Sequence, residues 1–121
     1  MPWIPQFTHT FFREHLKTGN FDPLMPLFDK LKPTCLIRVK ANLNFKSEKI
    51  IETGLHNDFD DERFMSSTFF INTNDGYFRT EDEKCVSTEN TLVTIPANIL
   101  HTGTTCTDAP RRIVLNIVYL P

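Results

Sequence analysis

The stretch Leu36-Ile37-Arg38-Val39-Lys40-Ala41-Asn42-Leu43 decides the fold class. Arg38, Lys40 and Asn42 fall on one side and Ile37, Val39, Ala41 and Leu43 on the other, the period of two that marks a half-buried strand. The same β texture runs on towards the C-terminus. Ser67-Thr68-Phe69-Phe70-Ile71-Asn72 is a short run rich in strand formers; it ends in the turn signal Asn74-Asp75-Gly76, after which Tyr77-Phe78-Arg79 returns as the second arm of a hairpin. Thr91-Leu92-Val93-Thr94-Ile95 and Arg112-Ile113-Val114-Leu115-Asn116-Ile117-Val118-Tyr119 complete the set. Short strands at regular spacing, with helices only in front, predict an antiparallel barrel or jelly roll.

Ahead of these strands, residues 6–33 read as helical or irregular. Phe11, Phe12 and His15-Leu16 sit at helical spacing, and Leu24, Leu27, Phe28 and Leu31 share one helical face. Asp22 before Pro23 reads as an N-cap followed by a proline in the first turn, and Pro33 ends the helix. The expected organisation is one domain over residues 1–121, with helical support in 1–33 and the barrel in 34–121. No repeat, linker or low-complexity segment interrupts it.

A chain of 121 residues that is 40% hydrophobic, with 11 Phe, has material for one real core and is not disordered as a whole. Lys and Arg number 13 against 15 Asp and Glu, with no basic run, which argues against nucleic-acid binding and leaves a peptide or small molecule as the expected partner. No apolar run approaches the ~18 residues a membrane span needs. Met1-Pro2-Trp3-Ile4-Pro5 lacks the basic and apolar regions of a signal peptide. Cys35, Cys85 and Cys106 are odd in number, far apart and in no Cys-x-x-Cys pair, so free thiols in a reducing, cytoplasmic compartment are expected and a zinc ribbon is excluded on spacing.

Chemistry concentrates at His56-Asn57-Asp58. In an extended segment residues i and i+2 point to one face, so His56 and Asp58 can converge on one point. His101, just after a strand and a Pro/Asn turn, supplies a second imidazole from a distant part of the chain. Two neutral imidazoles and one carboxylate form the facial triad used for non-haem Fe(II), which leaves three coordination positions open. If Thr107-Asp108-Ala109-Pro110 is a four-residue hairpin connection, Thr105 pairs with Arg112 and His101 with Asn116, and Arg112, Val114 and Asn116 share the face of His101. Arg112 then lies ~13 Å along the strand at ~3.3 Å per residue. A side chain reaching ~6 Å back leaves ~7 Å, the span of a five-carbon diacid between metal and guanidinium. A buried arginine implies an anionic partner, and its planar fork suits a carboxylate. An odd-length connection would hand that role to Arg111.

His56-x-Asp58, His101 and Arg112, followed by Ile113 to Tyr119, together resemble the 2-oxoglutarate- and Fe(II)-dependent dioxygenases, and above all the prolyl-4-hydroxylase-like branch with its small phage-encoded members. The likeness runs from Leu36 to Tyr119 and includes Thr68-Phe69-Phe70-Ile71-Asn72 with Asn74-Asp75-Gly76-Tyr77-Phe78. It implies a double-stranded β-helix of the jelly-roll or cupin-like kind with one or two N-terminal helices. It also implies His56, Asp58 and His101 as iron ligands, and Arg112 as anchor for the distal carboxylate of 2-oxoglutarate. The implied activity consumes O2 and hydroxylates a substrate, such as a prolyl residue in a peptide, while 2-oxoglutarate is decarboxylated to succinate. Asn116 is the residue placed by the assumed register to orient the metal-binding imidazoles. Three departures stand out: Phe70 replaces a tyrosine that helps hold the carboxylate in many relatives, Val114 replaces a serine two residues after the arginine, and the N-terminal support is short.

Other features have plainer readings. His9 and His15 are expected as surface or half-buried side chains, Asp60, Asp61 and Glu62 as a solvated loop, the segment from Thr102 to Thr107 as a strand, and Cys106 as a packed thiol. The spacing of acids satisfies no EF-hand. Arg38, Lys40 and Asn42 could line the mouth of a barrel or form a solvated strand face. Two functions follow: an oxygenase, or a non-catalytic jelly-roll module in which His56 and His101 are incidental or hold a structural metal. A barrel with so little cover could complete it by forming a homodimer.

Overall fold

The computed structural model describes residues 6–13, 16–19 and 21–121. In chain order the elements are β1 (Gln6–Arg13), β2 (Leu16–Lys17), a 3-10 turn (Asp22–Leu24) running into helix α1 (Met25–Leu31), β3 (Cys35–Phe45), β4 (Met65–Phe70), β5 (Tyr77–Thr80), β6 (Lys84–Val86), β7 (Thr91–Pro96), β8 (His101–Thr102) and β9 (Arg111–Leu120). They form a six-stranded sheet in the order β2-β1-β3-β9-β4-β7 and a three-stranded sheet in the order β6-β5-β8. Isolated bridges from Lys46 to Cys106, Glu52 to Thr104 and His56 to His101 extend the smaller sheet with the loop that follows β3. The fold is the mainly β jelly roll that the alternation predicts.

Strand β9 organises the larger sheet, antiparallel to β3 on one side and to β4 on the other. Its odd-numbered residues face outward. Leu115, Ile117 and Tyr119 join Val39, Phe12, Phe21 and Phe28 in the principal core, with Leu24, Leu27 and Leu31 of the helical segment packed on it. Each fully buried side chain of this kind contributes about 1.5–3 kcal/mol. The even-numbered residues face the smaller sheet. Asn44, Asn42 and Lys40 of β3 lie beside Arg112, Val114 and Asn116, and Phe70 and Thr68 of β4 flank Val114 and Asn116 from the other side. Thus β9 carries the core on one face and the polar interior on the other.

Four local expectations are corrected. Residues 6–13 form a strand, paired from Gln6–Asn44 to Arg13–Arg38, rather than a helix. A bulge between Thr10 and Phe12 inserts one residue, so the alternation of Phe7, His9 and Phe11 breaks and the adjacent Phe11-Phe12 pair imitates helical spacing. Second, Asp22 does not cap a helix; it is the first residue of the 3-10 turn and makes no capping bond. The helix closes at Lys32, in the left-handed conformation with its N–H on the Phe28 carbonyl, one residue before Pro33. Third, Asn74-Asp75-Gly76 is not a hairpin: β4 and β5 belong to different sheets, and the turn carries the chain across the sandwich. Fourth, His101 does not pair with Asn116; β8 pairs with β5, and His101 pairs with His56. His15 lies outside the described residues.

The three cysteines are free, and Cys106 is buried. Among the described residues no helix is long and apolar enough to cross a membrane.

Candidate metal centre

Backbone pairing, rather than side-chain packing, brings the two histidines together. His56 and His101 exchange both backbone hydrogen bonds, N–H to O at 2.9 and 2.8 Å, so their side chains leave the sheet on the same face. The ring centroids lie 4.6 Å apart. Asp58 follows two residues later, its N–H on the Ala97 carbonyl at 3.0 Å. One nitrogen of each ring and one carboxylate oxygen all fall within 4.8 Å of one another.

Each imidazole is already oriented. Nδ1 of His56 donates to the Gly54 carbonyl and Nδ1 of His101 to the Ile99 carbonyl, both at 2.9 Å. That tautomer leaves Nε2 of each ring with a free lone pair, the form that binds a metal. Both Nε2 atoms face Asp58, at 3.7 Å for His56 and 3.1 Å for His101. Gly54 has φ 120°, a region closed to most side chains, and so its carbonyl can turn back to His56. His101 also stacks on Phe78 at 5.2 Å.

The carboxylate is held as firmly. Ser66 Oγ donates to Asp58 Oδ2 at 2.6 Å, and the Arg38 guanidinium donates to Oδ1 at 3.4 Å. Burial pushes the Asp58 carboxyl up, but the His101, Ser66 and Arg38 contacts outweigh it and hold the group well below the usual carboxylate range. Burial likewise pushes His101 down, while the bond to Asp58 and the Ile99 carbonyl raise it above its ordinary value overall. Two acceptors of this kind at 3.1 Å need a positive centre between them, a proton or a cation. Two imidazoles and one ionised carboxylate fit a divalent first-row metal such as Fe(II), with one face of the coordination sphere left to ligands from outside.

Behind the triad lies a cavity of about 130 Å³, lined by Arg38, Lys40, Asn42, Asn44, Arg112 and Asn116 among others. This suits a small acid and is well below the roughly 300–1,000 Å³ of drug-sized sites. Arg112 is only 2% exposed. Its Nε donates to Ser87 Oγ at 3.0 Å, and its two terminal nitrogens donate to the Thr104 and Tyr77 carbonyls at 3.3 and 3.2 Å. All three acceptors are neutral, and no carboxylate of the described residues pairs with it. Burial without a counter-charge pushes the guanidinium down to about 10. Two of its five N–H groups remain for a ligand, which matches a carboxylate.

β9 pairs with β3 and β4 rather than with the His101 segment, yet its even-numbered face does point into the site, because Arg112, Val114 and Asn116 share one face in any pairing and that face looks onto the sheet that carries His101. Arg111 is exposed. Asn116 makes no hydrogen bond to the histidines. Its Oδ1 accepts from Arg38 at 3.0 Å and its Nδ2 donates to Ser66 at 3.2 Å, so it orders the two groups that hold Asp58. The imidazoles are oriented by backbone carbonyls instead, which sequence cannot reveal. Phe70 is fully buried with Arg112 over its ring.

Sequence reasoning missed Ser66 and Gly76. Ser66 was hidden because the expected run begins at Ser67, two residues after the strand starts at Met65, whereas Ser66, Thr68 and Phe70 share the inward face of β4. Gly76 is required by Arg112: a Cβ there would lie 2.6 Å from Arg112 Cδ and 2.7 Å from the Thr105 carbonyl oxygen. The β3 face of Arg38, Lys40 and Asn42 lines the cavity, which decides between the two readings left open for it.

No protein-family model matches this sequence. No curated protein matches it significantly either. Similar solved structures do exist. A 2OG-Fe(II) oxygenase family oxidoreductase from Burkholderia pseudomallei superposes with a TM-score of 0.65 at 12% identity, over 95% of this chain and 67% of its own. The cupin domain of an XRE family transcriptional regulator from Enterobacter cloacae gives 0.55 at 9% identity, over 96% and 97% of the two chains. An HTH_3 family transcriptional regulator from Vibrio cholerae gives 0.58 at 8% identity, over 96% of this chain, which spans only 51% of that protein. At these identities the likeness establishes the fold, a cupin-type jelly roll, and the fold hosts both an oxygenase and regulator domains.

Proposed function

We propose that the protein is a non-haem Fe(II) dioxygenase that couples oxidative decarboxylation of 2-oxoglutarate to hydroxylation of a substrate. The observation that carries this reading is the pairing, in one small cavity, of an oriented His-Asp-His triad with a buried arginine that lacks a counter-charge. His56, Asp58 and His101 would hold the metal. Arg112 would receive the distal carboxylate of 2-oxoglutarate on its two unused N–H groups, without help from Phe70, which has no hydroxyl. Arg38, Ser66 and Asn116 keep Asp58 ionised and fixed, and Phe70, Phe78 and Val114 form the apolar wall that limits water around the site. When bound, iron, 2-oxoglutarate and O2 supply the oxidising chemistry, with succinate and CO2 as products of the cosubstrate.

The test is anaerobic purification, addition of Fe(II) and 2-oxoglutarate, and exposure to O2. Slow release of succinate even without substrate is expected, and none from Asp58→Ala. The full-length likeness to a regulator's cupin domain favours a second reading, a ligand-binding module. It predicts metal-dependent binding of 2-oxoglutarate with no succinate.

A further inference from the structure

The cavity holds more positive charge than the metal and 2-oxoglutarate account for. Its charged lining residues are Arg38, Lys40, Arg112 and Asp58, three cations against one carboxylate. A divalent metal and the dianion of 2-oxoglutarate cancel each other, so two positive charges remain uncompensated in a partly desolvated space, where they attract anions strongly. One belongs to Lys40, which is half-buried and makes no hydrogen bond or ion pair among the described residues. Arg38 is tied to Asp58 and Asn116 by one terminal nitrogen, while its Nε is buried without any partner.

Position separates these donors from the Arg112 end. Lys40 stands beside Asn116 on the neighbouring strand, and Arg112 stands beside Asn44, four residues further along the same ladder. That is ~13 Å of strand at ~3.3 Å per residue between the two backbone positions, and Arg38, which donates to Asp58, belongs with Lys40 to the metal side of the cavity. Two further polar atoms of the cavity lining are buried and unpartnered, Oδ1 of Asn42 and Nδ2 of Asn44. Buried polar atoms are almost always satisfied, and orphans that line one cavity mark where a ligand's polar groups lie.

We infer that Lys40 and Arg38 form a second anion subsite beside the metal, which holds the carboxylate or phosphate-type group of the primary substrate, a small anionic molecule. The word substrate rests on the oxygenase reading; the anion subsite does not. Arg38 thereby links substrate to metal centre, because the same guanidinium holds Asp58.

The experiment is a titration with sulfate, and in parallel with acetate, of Zn(II)-loaded protein saturated with 2-oxoglutarate, read from the lysine side-chain NMR signals. Saturable shifts of the Lys40 signal are expected. Lys40→Gln should weaken the anion about tenfold or more, the effect of losing one charge-assisted hydrogen bond, and leave 2-oxoglutarate affinity within about threefold. Preference for acetate identifies a carboxylate substrate, and preference for sulfate a phosphate-type one. Unchanged anion binding in Lys40→Gln overturns the inference. So does mutual displacement of sulfate and 2-oxoglutarate, or a Lys40→Gln variant that loses 2-oxoglutarate instead, since each shows a single anion site. A protein that binds no 2-oxoglutarate at all overturns the oxygenase reading, and the same titration without it still tests Lys40.

Discussion

Replacing Arg112 by methionine should separate stability from binding. A guanidinium pushed by burial down to about 10 carries roughly 3 kcal/mol of desolvation in the folded state. Against this stand three hydrogen bonds to neutral acceptors, at 3.0, 3.3 and 3.2 Å, each worth about 1 kcal/mol net. The two contributions nearly cancel, so without ligand Arg112 does little for the fold. Methionine is flexible enough to fill the space along Gly76 and Phe70. Urea unfolding of the ligand-free variant should therefore differ from wild type by less than about 1.5 kcal/mol. Its affinity for 2-oxoglutarate should fall by about 2–5 kcal/mol, roughly 30-fold to several thousand-fold, because a buried carboxylate loses its only charged partner. Anaerobic calorimetry with Mn(II) in place of iron measures that directly. A variant destabilised by more than about 3 kcal/mol that still binds 2-oxoglutarate like wild type would make Arg112 a structural residue and refute the reasoning.

Other consequences are as specific. Ser66→Ala removes a 2.6 Å bond to Asp58 Oδ2 and should weaken metal binding about 10- to 100-fold, with the fold intact by circular dichroism. Gly76→Ala puts a methyl group into Arg112 and the Thr105 carbonyl; it should cost about 1–3 kcal/mol of stability and lower 2-oxoglutarate affinity, both readable in the assays above. Ile117→Ala empties a fully buried position of the outer core and should cost about 2–5 kcal/mol in urea unfolding without changing metal stoichiometry.

The parts of this molecule written in local alternation were legible in its sequence. Arg38, Lys40 and Asn42 against Val39 and Ala41 revealed both faces of β3, and Arg112, Val114 and Asn116 revealed the inward face of β9 even under a wrong pairing. Residues two apart share a face whatever strand they pair with, so the set Arg112, Val114 and Asn116 stands although its partners lie in the sheet opposite His101. Strand β1 was illegible because one bulged residue spoils a period-two pattern over eight residues. The crossing at Asn74-Asp75-Gly76 was illegible because a tight turn reports a change of direction, not which sheet receives the chain. At the site, the three side chains of the candidate metal triad, His56, Asp58 and His101, could be found from residue type. The groups that orient them could not, since the Gly54 and Ile99 carbonyls carry no residue identity and Ser66 lies ahead of the Ser67–Asn72 run from which the strand was expected.

The central claim is that one cavity binds a divalent metal through His56, Asp58 and His101 and, through metal and Arg112 together, 2-oxoglutarate. Anaerobic titration of 2-oxoglutarate into the protein with and without Fe(II) tests it most directly. The account predicts one 2-oxoglutarate per chain, dependent on one Fe(II) per chain, with metal uptake abolished in a folded Asp58→Ala variant. Binding of 2-oxoglutarate that ignores the metal, or full Fe(II) uptake by Asp58→Ala, would contradict it.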